Sequence, residues 1–329
     1  MKRVFVYLSF VLIISSCKEE IQNKRIVGNV FGTTYSVQYA GYESEVDFQE
    51  QFDKLFYIIN KSMSTYQANS IISKINRNEE TTIDSHFRKV FEASKEIYKL
   101  TNGSFDPTIG VMVNAWDFGP DAATIELDQV KVDSLMQLVG LDKVTREDNV
   151  INKELSGIQL DFNAIAKGYA VDVIAEFLET QAIENYLVEI GGEVRTKGIN
   201  MSSEQPWRIG VENPNFDGSQ TIMKAITMGD EAMATSGTYR KFKVDESGNR
   251  YAHIIDAKTG YPSKTSLLSI SVIAKDCMTA DAYATAFKTM GVEGVTSFLK
   301  DHPELKVFLI FENDKNELET MSLNNFPQN

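Results

Sequence analysis

The sequence predicts an α+β fold, with mostly antiparallel sheets and flanking helices, from three observations. Helical periodicities fill the first third of the chain, short β-like runs fill residues 185–274, and the two textures are grouped rather than strictly alternating. At 329 residues the chain has the length of two domains or one large one and can bury a substantial core. Apolar residues make up 43% and charged residues 24%, which excludes wholesale disorder, collagen-like repeats and a multi-span membrane protein.

The N-terminus reads as an address. Met1-Lys2-Arg3 is a positive start, and residues 4–14 form an apolar run. As a helix that run would reach about 16 Å, roughly half the hydrocarbon core of a bilayer, so it fits a signal-peptide core. It ends in Ile14-Ser15-Ser16-Cys17, which is similar to the lipobox of bacterial lipoproteins. That resemblance implies cleavage after residue 16 and a diacylglycerol on Cys17, followed by a tether over 17–23. The expectation is a membrane-anchored protein working outside the cytoplasm, on the periplasmic side.

The elements follow in order. Residues 24–40 alternate apolar and polar side chains around Gly32, which predicts a hairpin. Phe48, Phe52, Leu55, Phe56 and Ile59 recur at three- and four-residue steps, which predicts a helix over 46–62. The same spacing recurs in Phe87, Val90, Phe91, Ile97 and Leu100, with Ser85 and Gly103 as start and stop signals. A strand over 157–162 should run into a helix over 163–179. Short strands are expected at 186–190, 207–212, 221–228, 239–244, 251–255 and 267–273, between Gly, Pro, Asn and Asp turns. Helices over 278–290 and 292–300 and a hairpin within 305–323 complete the chain. The loosest stretch, 119–157, is the best place for a subdomain boundary within 24–329.

Charge and motif content narrow the chemistry. Lys and Arg number 33 against 46 Asp and Glu, a net charge of -13, so no nucleic-acid partner is expected. Two cysteines provide no disulfide framework, and G-x-S-x-G, H-E-x-x-H and paired C-x-x-C motifs are absent. Asp281 and Thr285 lie four apart on a predicted helix, so both oxygens share one face and suit a hard cation such as Mg2+. A solvated face would show the same spacing. In Leu160-Asp161-Phe162-Asn163-Ala164-Ile165-Ala166-Lys167-Gly168, an acid, a helix start and a lysine one turn on could cradle phosphate. Asp161 as a cap with Lys167 on a wet face is the alternative. Of three histidines, His86 and His302 read as surface residues, whereas His253 alternates with apolar neighbours and is either a core residue or a proton acceptor. The turns at 189–193 and 234–239 carry small residues that leave room for a ligand; an ordinary tight turn would carry the same residues.

Taken together, these segments resemble the ApbE family of FAD:protein FMN transferases. The ordered series comprises Phe31-Gly32-Thr33-Thr34-Tyr35, Met63-Ser64-Thr65-Tyr66, Gly103-Ser104-Phe105-Asp106-Pro107-Thr108-Ile109-Gly110, Asn114-Ala115-Trp116, the 161–168 motif, 189–193, 234–240, 253–262 and 278–285. The resemblance implies an ApbE-like, T-fold-related architecture and transfer of the FMN half of FAD to a Thr or Ser hydroxyl of an acceptor protein, with release of AMP. It implies Mg2+ held by Asp281, Thr285 and the main-chain carbonyl of Ala164. It places Phe31, Tyr66, Ser104, Phe105, Asp106, Asp161, Lys167, His253 and Ile254 around FAD, with His253 and Asp281 as catalytic residues. Implied acceptors are flavoprotein subunits of membrane electron-transfer complexes. Ala257, Asn163 and Val111-Met112 depart from the family pattern and bear on loop rigidity and flavin affinity. The same site would also suit an Mg2+-dependent FAD pyrophosphatase, or a lipoprotein that binds FAD without turnover.

Overall fold

The computed structural model describes residues 22–41, 47–121, 127–238, 242–244, 250–315 and 317–328, with the backbone alone described for 242–244 and 250–252. The leader and Cys17 lie outside these residues, as do Tyr239 and Arg240. Gln22 and Asn23, expected in the tether, already belong to the first strand.

Strands β1 (Gln22–Val30) and β2 (Thr33–Gly41) form the expected hairpin. Its two-residue turn places Phe31 at φ 51° and Gly32 at φ 73°. A tight hairpin whose twist matches its strands requires positive φ at both positions. Glycine adopts it freely, whereas a bulky residue does so at a cost of about 1–2 kcal/mol.

Helix α1 (Gln49–Met63) starts three residues later than expected, and α2 (Ile71–Asn76) is capped by Ser70. Helix α3 (Ser85–Leu100) is capped by Asp84, whose carboxylate accepts the Phe87 N–H at 2.8 Å, one residue before the anticipated Ser85. Helices α4 (Gly110–Ala115) and α5 (Gln129–Met136) and the hairpin of β3 (Val144–Glu147) and β4 (Val150–Lys153) occupy the middle of the chain. Leu141, Val144 and Ile158 anchor that middle region in the main core.

The strand expected over 157–162 is an extended segment with one parallel bridge, between Gln159 and Ile109. Its ladder is replaced by a side chain: Asn76 accepts the Leu160 N–H and donates to the Leu160 carbonyl, both at 2.8 Å. Helix α6 (Ala166–Thr180) then begins three residues later than expected.

The remaining strands are β5 (Tyr186–Ile190), β6 (Glu193–Lys197), β7 (Ile199–Asn200), β8 (Gln205–Glu212), β9 (Ile222–Met228), β10 (Ala232–Gly237), β11 (Phe242–Val244), β12 (Arg250–Ala252) and β13 (Leu267–Ala274). Helix α7 (Cys277–Phe298) and the hairpin of β14 (Lys306–Glu312) and β15 (Leu318–Leu323) follow. Gly291, at φ 72° and ψ 174°, breaks α7 where the sequence separates two helices.

The main sheet is wholly antiparallel in the order β1-β2-β5-β6-β10-β13-β14-β15. Side chains of α1, α3, α6 and α7 join one face of it in the main core. Trp207, Ile209, Ile226 and Met228 of β8 and β9 cover the other face over Leu187, Val194, Ile273 and Phe308. Every residue of β13 is buried, as expected for a strand covered on both faces.

Candidate active site

The head of α6 meets the first turns of α7 so closely that only glycine fits at 168. A Cβ there would lie 2.2 Å from the Cys277 carbonyl oxygen and 2.8 Å from the Asp281 Cβ. The Gly168 N–H donates to Asp281 Oδ2 at 3.0 Å. It therefore does not close the helical bond to the Ala164 carbonyl four residues back, and no hydrogen bond to that carbonyl is found among the described residues. Ile165, at φ -149° and ψ -26°, keeps the preceding turn out of helical geometry. Thr285 lies one turn beyond Asp281 and its Oγ1 is 3.3 Å from Ser236 Oγ on β10. Asp281 is thus tied to the head of α6 at Gly168, four residues after Ala164, and Thr285 follows one turn along α7.

Lys167 joins this group by an ion pair with Glu193, at the start of β6. Glu193 is 3% exposed, and its second oxygen finds no hydrogen-bond partner among the described residues. Asp281 is buried. Burial pushes its carboxyl up to about 7, Lys167 pulls it back and Glu193 adds to the rise. Burial also works against the charge on Lys167, but Glu193 and Asp281 outweigh it and hold the ammonium above its ordinary pKa. One ammonium between two carboxylates leaves the cluster short of positive charge, which a divalent cation would supply. Among the described residues, no group of three or more His, Cys, Asp and Glu is arranged to hold a metal ion. A cation here would be held by one carboxylate, one hydroxyl and one carbonyl, hard oxygen donors of the kind Mg2+ takes. The residues present fit it.

Asp161 precedes Ala164 by three residues. Its Oδ1 accepts the Asn163 N–H at 2.7 Å, so it closes a local turn and does not cap α6. Its own N–H donates to the Pro107 carbonyl at 2.7 Å, which ties it to Ser104, Phe105 and Asp106. Burial raises the Asp161 pKa. Tyr66 is 64% exposed, and its hydroxyl is raised by burial and then by the charge of Asp161. Asp106 accepts from the Thr108 N–H and hydroxyl at 2.8 and 2.6 Å. Phe105, expected as an aromatic face for flavin, is 2% exposed, and its ring belongs to the main core.

Phe31 stands at the hairpin tip, edge-on to Phe56 with ring centroids 5.7 Å apart. The Gly191 N–H donates to the Thr34 carbonyl at 3.0 Å, which sets this tip beside the turn leading to Glu193. His253 is partly buried just past β12. The Ile254 carbonyl accepts from the Ser263 N–H at 2.9 Å, and Ser263 Oγ donates to the Lys288 carbonyl at 3.2 Å. The loop bearing His253 is thus moored to α7 three residues beyond Thr285. The other histidines are not simple surface residues: His86 Nδ1 lies 2.7 Å from the Tyr169 hydroxyl, and His302 stacks on Phe298 at 4.2 Å.

Two contributors escaped the sequence reading. Glu193 was legible only as the end of a Gly-Gly turn, and Asp172 only as an acid inside a helix. The available signal was the apolar setting of Asp172 in Tyr169-Ala170-Val171-Asp172-Val173-Ile174, since a buried acid needs partners.

Comparison with known proteins matches the ApbE family model to residues 31–309. A FAD:protein FMN transferase from Vibrio cholerae is 36% identical over 301 residues, 89% of each chain. One from Haemophilus influenzae is 34% identical over 322 residues, 94% of this chain and 92% of its own. The solved structure of the flavin transferase ApbE from Vibrio cholerae superimposes with a TM-score of 0.83 at 34% identity, covering 92% of this chain and 97% of that one.

Proposed function

The chain belongs to the ApbE family, and we propose that it is a FAD:protein FMN transferase whose centre is the junction of α6 and α7. One observation carries this reading for the site. The contact that anchors Asp281 on the Gly168 N–H also leaves the Ala164 carbonyl, four residues before Gly168, without its helical partner.

In the proposed reaction the acceptor's Thr or Ser oxygen forms a bond to the riboflavin-side phosphorus of FAD. The bond from that phosphorus to the bridging oxygen breaks, and AMP leaves with the bridging oxygen. Phosphoryl transfer of this kind depends mainly on positioning and charge neutralisation. Mg2+, held by Asp281, Thr285 and the Ala164 carbonyl, would neutralise charge on the pyrophosphate. Lys167, whose ammonium pairs with Glu193, would bind a pyrophosphate oxygen. Asp161 and Tyr66 line the approach, and Phe31 offers an aromatic face at the hairpin tip. His253 and Ile254 complete the FAD surroundings, and His253 takes or orients the proton of the attacking hydroxyl.

Incubation of the mature chain with FAD, Mg2+ and a threonine-bearing acceptor tests this directly. Covalent flavin fluorescence on the acceptor with stoichiometric AMP is the expected result. Free FMN with AMP would indicate hydrolysis, and unchanged FAD would indicate storage; either contradicts transfer. The acceptors proposed are flavoprotein subunits of membrane electron-transfer complexes. The anchor is proposed from Ile14-Ser15-Ser16-Cys17, which puts the enzyme on the periplasmic face of a membrane where such subunits present extracytoplasmic domains.

A further inference from the structure

Helices α6 and α7 hold each other by reciprocal contacts. Asp281 of α7 accepts the Gly168 N–H of α6, and Asp172, one turn further along α6, accepts the first two N–H groups of α7. Cys277 donates to Asp172 Oδ1 at 3.0 Å and Met278 to Oδ2 at 2.8 Å. The cap of α7, Asp276, takes the Thr279 N–H at 2.8 Å. The first three amides of α7, which have no partner within their own helix, are therefore all satisfied by carboxylates.

Asp172 is 2% exposed, so water cannot substitute for it. Its countercharge comes from β6, where Arg195 donates to Oδ1 at 2.9 Å. Arg195 also reaches Glu179 of α6 at 3.6 Å, and Lys197 reaches the same carboxylate at 3.5 Å. Glu193, Arg195 and Lys197 alternate along β6, so they share one face of the strand, and each pairs with α6. This ladder fixes α6 against the sheet, and Asp172 passes the constraint to α7.

We propose that Asp172, held by Arg195, is the positioning residue of the cation site: it sets the start of α7, and with it the spacing of Asp281 and Thr285 from the Ala164 carbonyl. The inference rests on the cation reading given above. An Asp172→Asn side chain keeps one acceptor but turns an NH2 group towards an N–H, so one amide of α7 loses its partner. Loss of an outer-shell partner typically weakens metal affinity about 10–100-fold.

The test is calorimetric titration of Mg2+ into the mature protein, with thermal unfolding recorded for each variant. Asp172→Asn and Arg195→Met are expected to unfold cooperatively and to bind Mg2+ about 10–100-fold more weakly, while Arg195→Lys, which retains the charge, stays within a few-fold of wild type. If Asp172→Asn does not fold, Arg195→Met decides. Folded Asp172→Asn or Arg195→Met binding Mg2+ within about twofold of wild type would overturn the inference, because a merely structural brace lowers stability without moving that affinity. Asp281→Ala separates the two claims: if it binds Mg2+ as wild type does, the cation reading itself fails.

Discussion

Lys288 has no exposed surface, and among the described residues its ammonium donates one hydrogen bond, to Thr265 Oγ1 at 2.9 Å. Burial lowers its pKa to about 8 from an ordinary 10.5. The sign follows from proton binding: between those two values the unfolded chain holds the proton that the folded chain has released, so stability rises with pH across that window. Below it the charged form is buried at a cost on the order of 3 kcal/mol. Lys288→Met, similar in length and uncharged, is expected to be more stable than wild type at neutral pH by on the order of 2–3 kcal/mol, with the gap closing above about pH 8. Urea unfolding of both proteins across pH 7–10 checks it; a gap independent of pH contradicts the assignment.

At the scale of elements, the α6–α7 contact is the most sensitive joint. Gly168→Ala would set a methyl group 2.2 Å from the Cys277 carbonyl oxygen, so the helices must separate. The expected outcome is a loss of about 1–3 kcal/mol in stability, together with Mg2+ binding weakened at least tenfold, because Asp281 loses its amide. Calorimetry on the folded variant reads both. Elements with strong periodicity were legible in the sequence: the β1–β2 hairpin, α1, α3, the two halves of α7 and the last hairpin. The strand expected over 157–162 was not formed, because Asn76 and Pro107 take the backbone partners that a neighbouring strand would have supplied. Strand β6 escaped notice because Glu193, Arg195 and Lys197 look like a wet surface until α6 supplies Lys167, Asp172 and Glu179. The candidate ligands Asp281 and Thr285 could be read from helical spacing, but the release of the Ala164 carbonyl could not. It depends on a contact across 113 residues, between Gly168 and Asp281.

At the scale of the whole molecule, a net charge of -13 surrounds a site that must accept an anionic dinucleotide. Local cations have to overcome that field, the role proposed for Lys167 and a divalent ion together. The proposed tether adds a second constraint, since it confines the enzyme to a surface shared with its acceptors. Cys17→Ser is expected to move the protein from the membrane fraction to the soluble fraction of cells, while the purified variant flavinylates an acceptor at the wild-type rate. Retention in the membrane fraction would contradict the anchor. The claim beneath the whole account is that Asp281, Thr285 and the Ala164 carbonyl hold one divalent cation. Anomalous diffraction from crystals soaked in Mn2+ tests it most directly. The account predicts a single strong peak within about 2.0–2.4 Å of those three oxygens; a bare junction, with manganese bound only elsewhere, would contradict it.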